Sequence, residues 1–215
     1  MKSGIKQTIL LGLLFFFFSL FLVFATLPKF LILDRILLKK GIYLMAEGVE
    51  ERLLSLRLRK AQIYIKDFKL GEFESLELSL GTFYLLLSGQ CAGGSFQIKL
   101  YLNKEIVAKG KDLGCIKNAR VKSLDLRIAE GVKGRLELTN VKLKELSLDE
   151  LSLNFKGNAF SGEAKTAGLT LLGDGVISFN KQNPLSSTIN GKLVGSGMTM
   201  LLSGTLNNPS LEFAR

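Results

Sequence analysis

The chain has 215 residues, with 29 Lys and Arg against 19 Asp and Glu, and it contains no His, no Trp, 3 Pro and 2 Cys. Without His there is no Ser-His-Asp or Cys-His nucleophile and no His-bearing zinc site, and two Cys alone cannot close a structural zinc site. The net charge of +10 is spread in KxK and RxR alternation, which describes a solvated strand face. A basic surface also suits anionic lipid head groups, and no nucleic-acid recognition motif is present.

Residues 7–27 read QTILLGLLFFFFSLFLVFATL. From Ile9 to Leu27 there is no charge, and only Gly12, Ser19 and Thr26 interrupt the apolar run. That is about the length needed to cross a hydrocarbon core. Residues 1–29 therefore read as an N-terminal transmembrane signal anchor. A cleaved signal peptide is the alternative, with Val23-Phe24-Ala25 at the cleavage end, but the run is longer than a usual signal core. Lys29, Arg35, Lys39 and Lys40 outnumber Lys2 and Lys6, which by charge alone would keep the following domain cytoplasmic. Long domains translocate largely regardless of such charges, and the short basic N-terminus has the form of a signal. The expected topology is a single pass with the N-terminus inside and the C-terminal domain outside, where a periplasmic setting suits it.

Residues 30–41 follow as a short amphipathic juxtamembrane helix. Phe30, Leu31, Leu33, Ile36, Leu37 and Leu38 alternate with charged residues, Pro28 precedes them and Gly41 stops them.

Residues 42–215 read as one periplasmic β-rich domain. Leu56 and Leu58, Leu76, Leu78 and Leu80, Phe96, Ile98 and Leu100, and Leu124, Leu126 and Ile128 each alternate with polar residues. These are period-2 runs of strand length. Gly71, Gly81, Gly93-Gly94, Asn103-Lys104, Gly131, Gly157-Asn158 and Asn183-Pro184 punctuate them at hairpin spacing. The expected class is mainly β: the transmembrane helix plus a curved antiparallel β-sheet, groove- or sandwich-like, wet on one side.

The stretch 135–157, RLELTNVKLKELSLDELSLNFKG, tests this reading. Its composition favours helix, but Leu136/Leu138, Val141/Leu143, Leu146/Leu148 and Leu151/Leu153 recur every five residues. On a helix they would point all round, and a heptad seam needs seven. On a flat strand a step of five reverses the face at each pair. Short strands with a bulge or turn at Thr139-Asn140, Lys144-Glu145 and Asp149-Glu150 satisfy the pattern. A pentapeptide β-helix is the other solution, though it would want a small residue in each pair and more repeats.

Cys91 and Cys115 are either two separate thiols or an oxidised pair, the latter suiting a periplasmic domain. Phe83, Leu85, Leu86 and Leu87 in GTFYLLLSG (81–89) are candidates to line an apolar groove, or else plain core.

The C-terminal third carries GRLEL at 134–138, GDGVISFNKQNPLSSTINGKL at 173–193 and LSGTLNNPSLEF at 202–213. With one N-terminal span, this resembles the general secretion pathway protein N family of the type II secretion system. Its last piece is also similar to the end of AsmA- and TamB-like inner-membrane proteins. Gly134, Gly173, Gly175, Pro184, Gly204 and Pro209 carry the resemblance. It implies a periplasmic β-domain that contacts other secretion subunits, with no catalytic residue, cofactor or metal.

Two functions stand beside each other. One is a non-enzymatic, inner-membrane-anchored secretion component acting through protein–protein contacts, with strand edges free for pairing. The other is AsmA/TamB-like lipid handling or envelope assembly, with phospholipid as a partner. An open apolar groove favours the second, and a closed, filled core excludes it. An enzyme is disfavoured by the absence of His and of any G-x-S-x-G, S-x-x-K or phosphate-loop motif.

Overall fold

The structure is a computed structural model that describes residues 2–65, 68–115, 119–143, 146–178, 180, 186–195, 197–205 and 208–213. Two helices come first: α1 (Lys2–Thr26) and α2 (Lys29–Leu38). In α1 the described side chains run from Leu11 to Val23 and are almost all exposed, including the consecutive Phe15, Phe16, Phe17 and Phe18. Among the described residues no helix is long and apolar enough to cross a membrane. A turn closes the end of α2, with Lys40 N–H donating to Leu37 O and Gly41 N–H to Leu38 O.

Fifteen strands then follow with no further helix among the described elements. They are β1 (Ile42–Met45), β2 (Gly48–Glu51), β3 (Ser55–Ile65), β4 (Phe68–Leu80), β5 (Tyr84–Cys91), β6 (Gly94–Tyr101), β7 (Ile106–Leu113) and β8 (Arg120–Ile128). The second half holds β9 (Val132–Leu143), β10 (Leu146–Gly157), β11 (Ala159–Thr166), β12 (Leu169–Ser178), β13 (Thr188–Gly195), β14 (Met198–Thr205) and β15 (Asn208–Phe213). All belong to one antiparallel sheet in chain order from β3 to β15, with β1 and β2 both on the outer edge of β3. From β2 onward each strand pairs with its sequence neighbour through a hairpin connection, while β1 skips β2 to join β3. Among the described residues there is one sheet, and no buried cluster joins its first strands to its last, unlike the sandwich expected above.

The five-residue beat of 135–157 resolves differently from the short broken strands that the sequence suggests. β9 and β10 are long, of 12 residues each, and 144–145 lies outside the described residues. At the other two positions the strands bend and continue. Asn140 has φ +53°. Around it the buried side step lengthens from two residues to three, from Leu138 to Val141. The facing strand does the same from Leu148 to Leu151, since Val141 sits opposite Leu148 and Leu138 opposite Leu151. Each kink resets the alternation, and both apolar pairs stay on one face.

The device recurs. Lys60 (φ +47°) lies between Leu58 and Ala61, and Asp112 (φ +55°) between Gly110 and Leu113. In all three cases a polar residue just before the second apolar one takes the left-handed conformation, as at β-bulges. Asn and Asp tolerate that region best among residues with a side chain, whereas a β-branched residue is a true outlier there. Asn140→Val is expected to lower stability by about 1–2 kcal/mol. Asn140→Gly is expected to change it by well under that, since Gly accepts the same φ. Denaturant unfolding of the two variants checks this.

Candidate functional site

The register places one uninterrupted apolar row across twelve strands. From β3 to β14 it runs Leu56, Leu78, Leu87, Ile98, Ala108, Leu126, Gly134, Phe155, Phe160, Gly175, Gly191 and Leu202, each directly opposite the next. A second row, two residues along each strand, runs from Leu58 and Leu76 through Phe96, Leu124, Leu136 and Leu153 to Leu193 and Met200. It contains only apolar residues and Gly. At about 4.8 Å per strand each row is about 50 Å long.

The other face is its opposite in chemistry. The row between these two begins Arg57, Glu77, Ser88, Gln97, Lys109, Asp125 and ends at Lys192 and Leu201. Salt bridges lie on this wet side, among them Arg135 to Glu137 at 2.7 Å and Lys165 to Glu150 at 3.0 Å. The hydrogen bond and charge of Lys165 hold the Glu150 carboxyl below its ordinary pKa, and Glu150 raises that of Lys165. Both are exposed, so the pair contributes little to stability. Among the described residues no cluster of acidic or thiol side chains could hold a metal ion.

The apolar face is curled but not closed. Leu148, Leu171 and Ala164 are 2%, 1% and 0% exposed, which a flat single layer could not achieve, so the sheet bends toward this side. The buried residues nevertheless fall into three clusters that follow the sheet in order. The first comes from β3 to β8, the second from β9 to β14, and the third from β11 to β13. In a sandwich, strands from opposite ends of the meander would share one core. Here, among the described residues, no cluster of buried residues joins β3–β7 to β11–β14. Among the described residues α2 covers part of the face, through Phe30 and Leu33 at the β1–β3 end. Of the two rows, Leu56, Leu58, Leu76, Phe96, Ala108, Phe160, Leu193 and Met200 are buried, and Leu78, Leu87, Ile98, Leu126 and Leu136 are half-buried. The whole chain exposes 14929 Å², against about 9,800 Å² for a compact monomer of its 23.7 kDa mass. Part of the excess is α1 and the rest is an extended sheet.

Glycines shape the face. A Cβ at Gly175 would lie 2.5 Å from the Phe160 ring, and one at Gly191 would lie 2.9 Å from it. The ring tip of Phe160 therefore reaches over two neighbouring strands, where only hydrogen-sized side chains leave it room.

Among the residues named from sequence, Leu85 and Leu87 are on the apolar face, half-buried, opposite Leu80 and Leu78. Leu86 points the other way, opposite Lys99. Phe83 does not line the face: it sits in the turn between β4 and β5, 68% exposed, because the strand starts only at Tyr84. Gly134 and Gly204 both have positive φ, +126° and +105°. Gly173 faces Gly162 and Leu193 on the apolar side, and Pro209 pairs with Gly204 in the last hairpin. Pro184 lies outside the described residues. Cys91 and Cys115 are bonded to each other, with Cα atoms 5.4 Å apart. The bond ties the end of β5 to the segment after β7, and Cys91 is wholly buried in the first cluster. Sequence reading missed the extent of the face. The signal for it was the LxL grammar of every strand, visible once register aligns the pairs.

A protein of Aquifex aeolicus (strain VF5), described as an uncharacterized protein, is 35% identical over 211 residues, covering 96% of this chain and 95% of its own length. The chain belongs to the same family as that protein. No family profile matches the chain, and no solved structure does.

Gly191→Val should push the Phe160 ring off the sheet and lower stability by about 1–3 kcal/mol, readable by thermal unfolding. The disulfide closes a loop with a sequence separation of 24, worth about 3 kcal/mol of stability. Cys91→Ala with Cys115→Ala should lower the unfolding midpoint accordingly, and reductant should shift the parent chain but not the double variant.

Proposed function

We propose that the protein is a non-enzymatic, membrane-anchored lipid-handling protein of the bacterial inner membrane, whose apolar sheet face takes the acyl chains of phospholipids. The observation that carries this is the pair of uninterrupted apolar rows on a sheet that no other strand layer covers among the described residues. A soluble protein that leaves such a face half-open carries an interaction site there. A row of about 50 Å exceeds the roughly 30 Å thickness of a bilayer's hydrocarbon core, so it can hold more than one acyl chain end to end.

Three features support the anchored, periplasmic setting. The run from Ile9 to Leu27 is uncharged. The described part of α1 is apolar and exposed on every side, as a helix in lipid would be. The Cys91–Cys115 bond suits an oxidising compartment. A polar outer face studded with Lys and Glu keeps the other side of the sheet in water. The similarity of the last hairpin to AsmA- and TamB-like proteins points the same way.

A secretion-pathway role through protein contacts is the second reading, favoured by one observation. β15 pairs only with β14 among the described residues, so its outer edge offers backbone groups for a partner strand. Crosslinking in membranes that recovers secretion subunits on β15, with no phospholipid bound, would support it over lipid handling.

The full chain extracted from membranes in mild detergent should retain phospholipid, detected by mass spectrometry. Leu87→Glu with Leu126→Glu puts two carboxylates on the face at half-buried positions and should cut the retained lipid at least about tenfold, given the cost of placing charge among acyl chains. The sheet signal in circular dichroism should be kept. Equal lipid in parent and variant would contradict the reading.

A further inference from the structure

Exposed large apolar side chains are distributed unevenly over the turns of the sheet. One end of the sheet holds the turns β2/β3, β4/β5 and β6/β7, followed by β8/β9 and β10/β11. At the first three stand Leu53, Leu54, Leu80, Phe83, Leu100 and Leu102, all exposed, with Leu102 the most so at 80%. They form one continuous lip: Leu80 N–H donates to Leu54 O (2.9 Å), and Leu102 N–H donates to Phe83 O (3.2 Å). The next turns at the same end are Ala129-Glu130-Gly131 and Gly157-Asn158, with no large apolar residue. At the opposite end, the described turns are Ala92-Gly93, Ala167-Gly168 and Gly197. The β12/β13 and β14/β15 turns at the lip end lie largely outside the described residues; among the described turns named here, nothing in folding requires three neighbouring tips to be apolar while the others are small or polar.

The chain path shows what lies beside this lip. The Glu51 carboxylate accepts hydrogen bonds from Lys29 N–H and Phe30 N–H, both at 3.0 Å, and so caps the N-terminus of α2. A carboxylate is favourable there on both hydrogen-bonding and dipole grounds. Glu51 ends β2 and is followed directly by Arg52, Leu53 and Leu54. The start of α2 is thus fixed at the lip. Thr26, the end of α1, is only three residues before Lys29, at most about 10 Å of chain.

The lip has the make-up of a bilayer interface element. Behind the leucines, Tyr84 and Tyr101 pair across β5 and β6 with ring centroids 5.7 Å apart, and Lys99 stands 5.1 Å over the Tyr84 ring. Arg52 and Lys104 are exposed in the β2/β3 and β6/β7 turns, while the nearby Glu105 is engaged by Arg127 at 2.6 Å. Apolar tips, then tyrosines, then cations is the order in which a membrane surface is met.

We propose that this lip dips into the surface of the bilayer that holds α1, so that the apolar face opens directly onto the lipid. Leu80 and Leu100 belong to both structures: they stand at the lip and begin the row that continues through Ile106 and Ile128 along the face. Phospholipid would enter there, its head group against Arg52 and Lys104. The inference rests on the reading of α1 as a membrane anchor.

The chain has no Trp, so a single introduced Trp is an unambiguous reporter. Full-length Phe83→Trp, Leu102→Trp, Thr170→Trp and Phe16→Trp variants are reconstituted in vesicles with and without brominated phospholipid. Phe83 and Leu102 are exposed turn residues, so neither change disturbs packing. The expected result is loss of fluorescence with brominated lipid for Phe83→Trp, Leu102→Trp and Phe16→Trp, and none for Thr170→Trp at the far end. Quenching of Phe16→Trp alone, with Phe83→Trp and Leu102→Trp open to aqueous iodide, would overturn the lip and leave the anchor standing. No quenching of Phe16→Trp would remove the anchor and the lip together. Shielding of Phe83→Trp and Leu102→Trp from both quenchers would mean that protein covers the lip, a second copy or another chain, and would also overturn it.

Discussion

A single β-sheet cannot bury its own apolar face unless it folds over upon itself or finds a cover. Side chains alternate strictly along a strand, so every strand of this meander contributes half its residues to one side. Here that side is Leu, Ile, Ala, Phe, Met and Gly without a polar break along two rows. The sheet curls enough to bury residues such as Leu148 and Leu171. It does not bring its first and last strands into one core. The remaining apolar area is a standing free-energy cost of about 25 cal/mol for each Å² left in water. A ligand that covers it is stabilised by the same amount, and acyl chains match the shape, long and apolar, with no polar group to satisfy.

Two local devices hold this arrangement. Left-handed residues at Lys60, Asp112 and Asn140 reset the alternation where β3, β7 and β9 step by three, so that Leu58 and Ala61, Gly110 and Leu113, and Leu138 and Val141 stay on one face. Small residues under large ones let Phe160 reach over its neighbours and keep the face smooth. The disulfide between Cys91 and Cys115 and the Glu51 cap on α2 fix the first strands, which is the end where the chain leaves its N-terminal helix.

Much of this was legible in the sequence, because period-2 alternation and hairpin glycines report on neighbours close in the chain. Leu56/Leu58, Leu76/Leu78 and Phe96/Ile98 mark strands without help from tertiary structure. The second helix was found to within a residue at its start. What could not be read was long-range. Nothing in Leu138 or Leu151 says that they face each other across a kink, since Asn140 is simply one Asn among many until its φ is known. The choice between a closed sandwich and an open sheet depends on whether distant strands meet, and no short motif encodes that. Phe83 was misplaced for a related reason. The GTFYLLLSG run is apolar throughout, so periodicity alone does not show that the strand begins at Tyr84 and leaves Phe83 in the turn.

The central claim is that the half-buried part of the apolar face, through Leu87, Leu126 and Leu153, takes lipid. Its most direct measurement uses phospholipid carrying a photoreactive group at the end of its acyl chain, irradiated with the full-length protein in native membranes and mapped by mass spectrometry. The account predicts adducts on the apolar side of several strands, on peptides holding Leu87, Leu126 and Leu153, and none on the polar row that holds Gln97, Lys109 and Asp125. Adducts confined to α1, with the sheet unmarked, would contradict it.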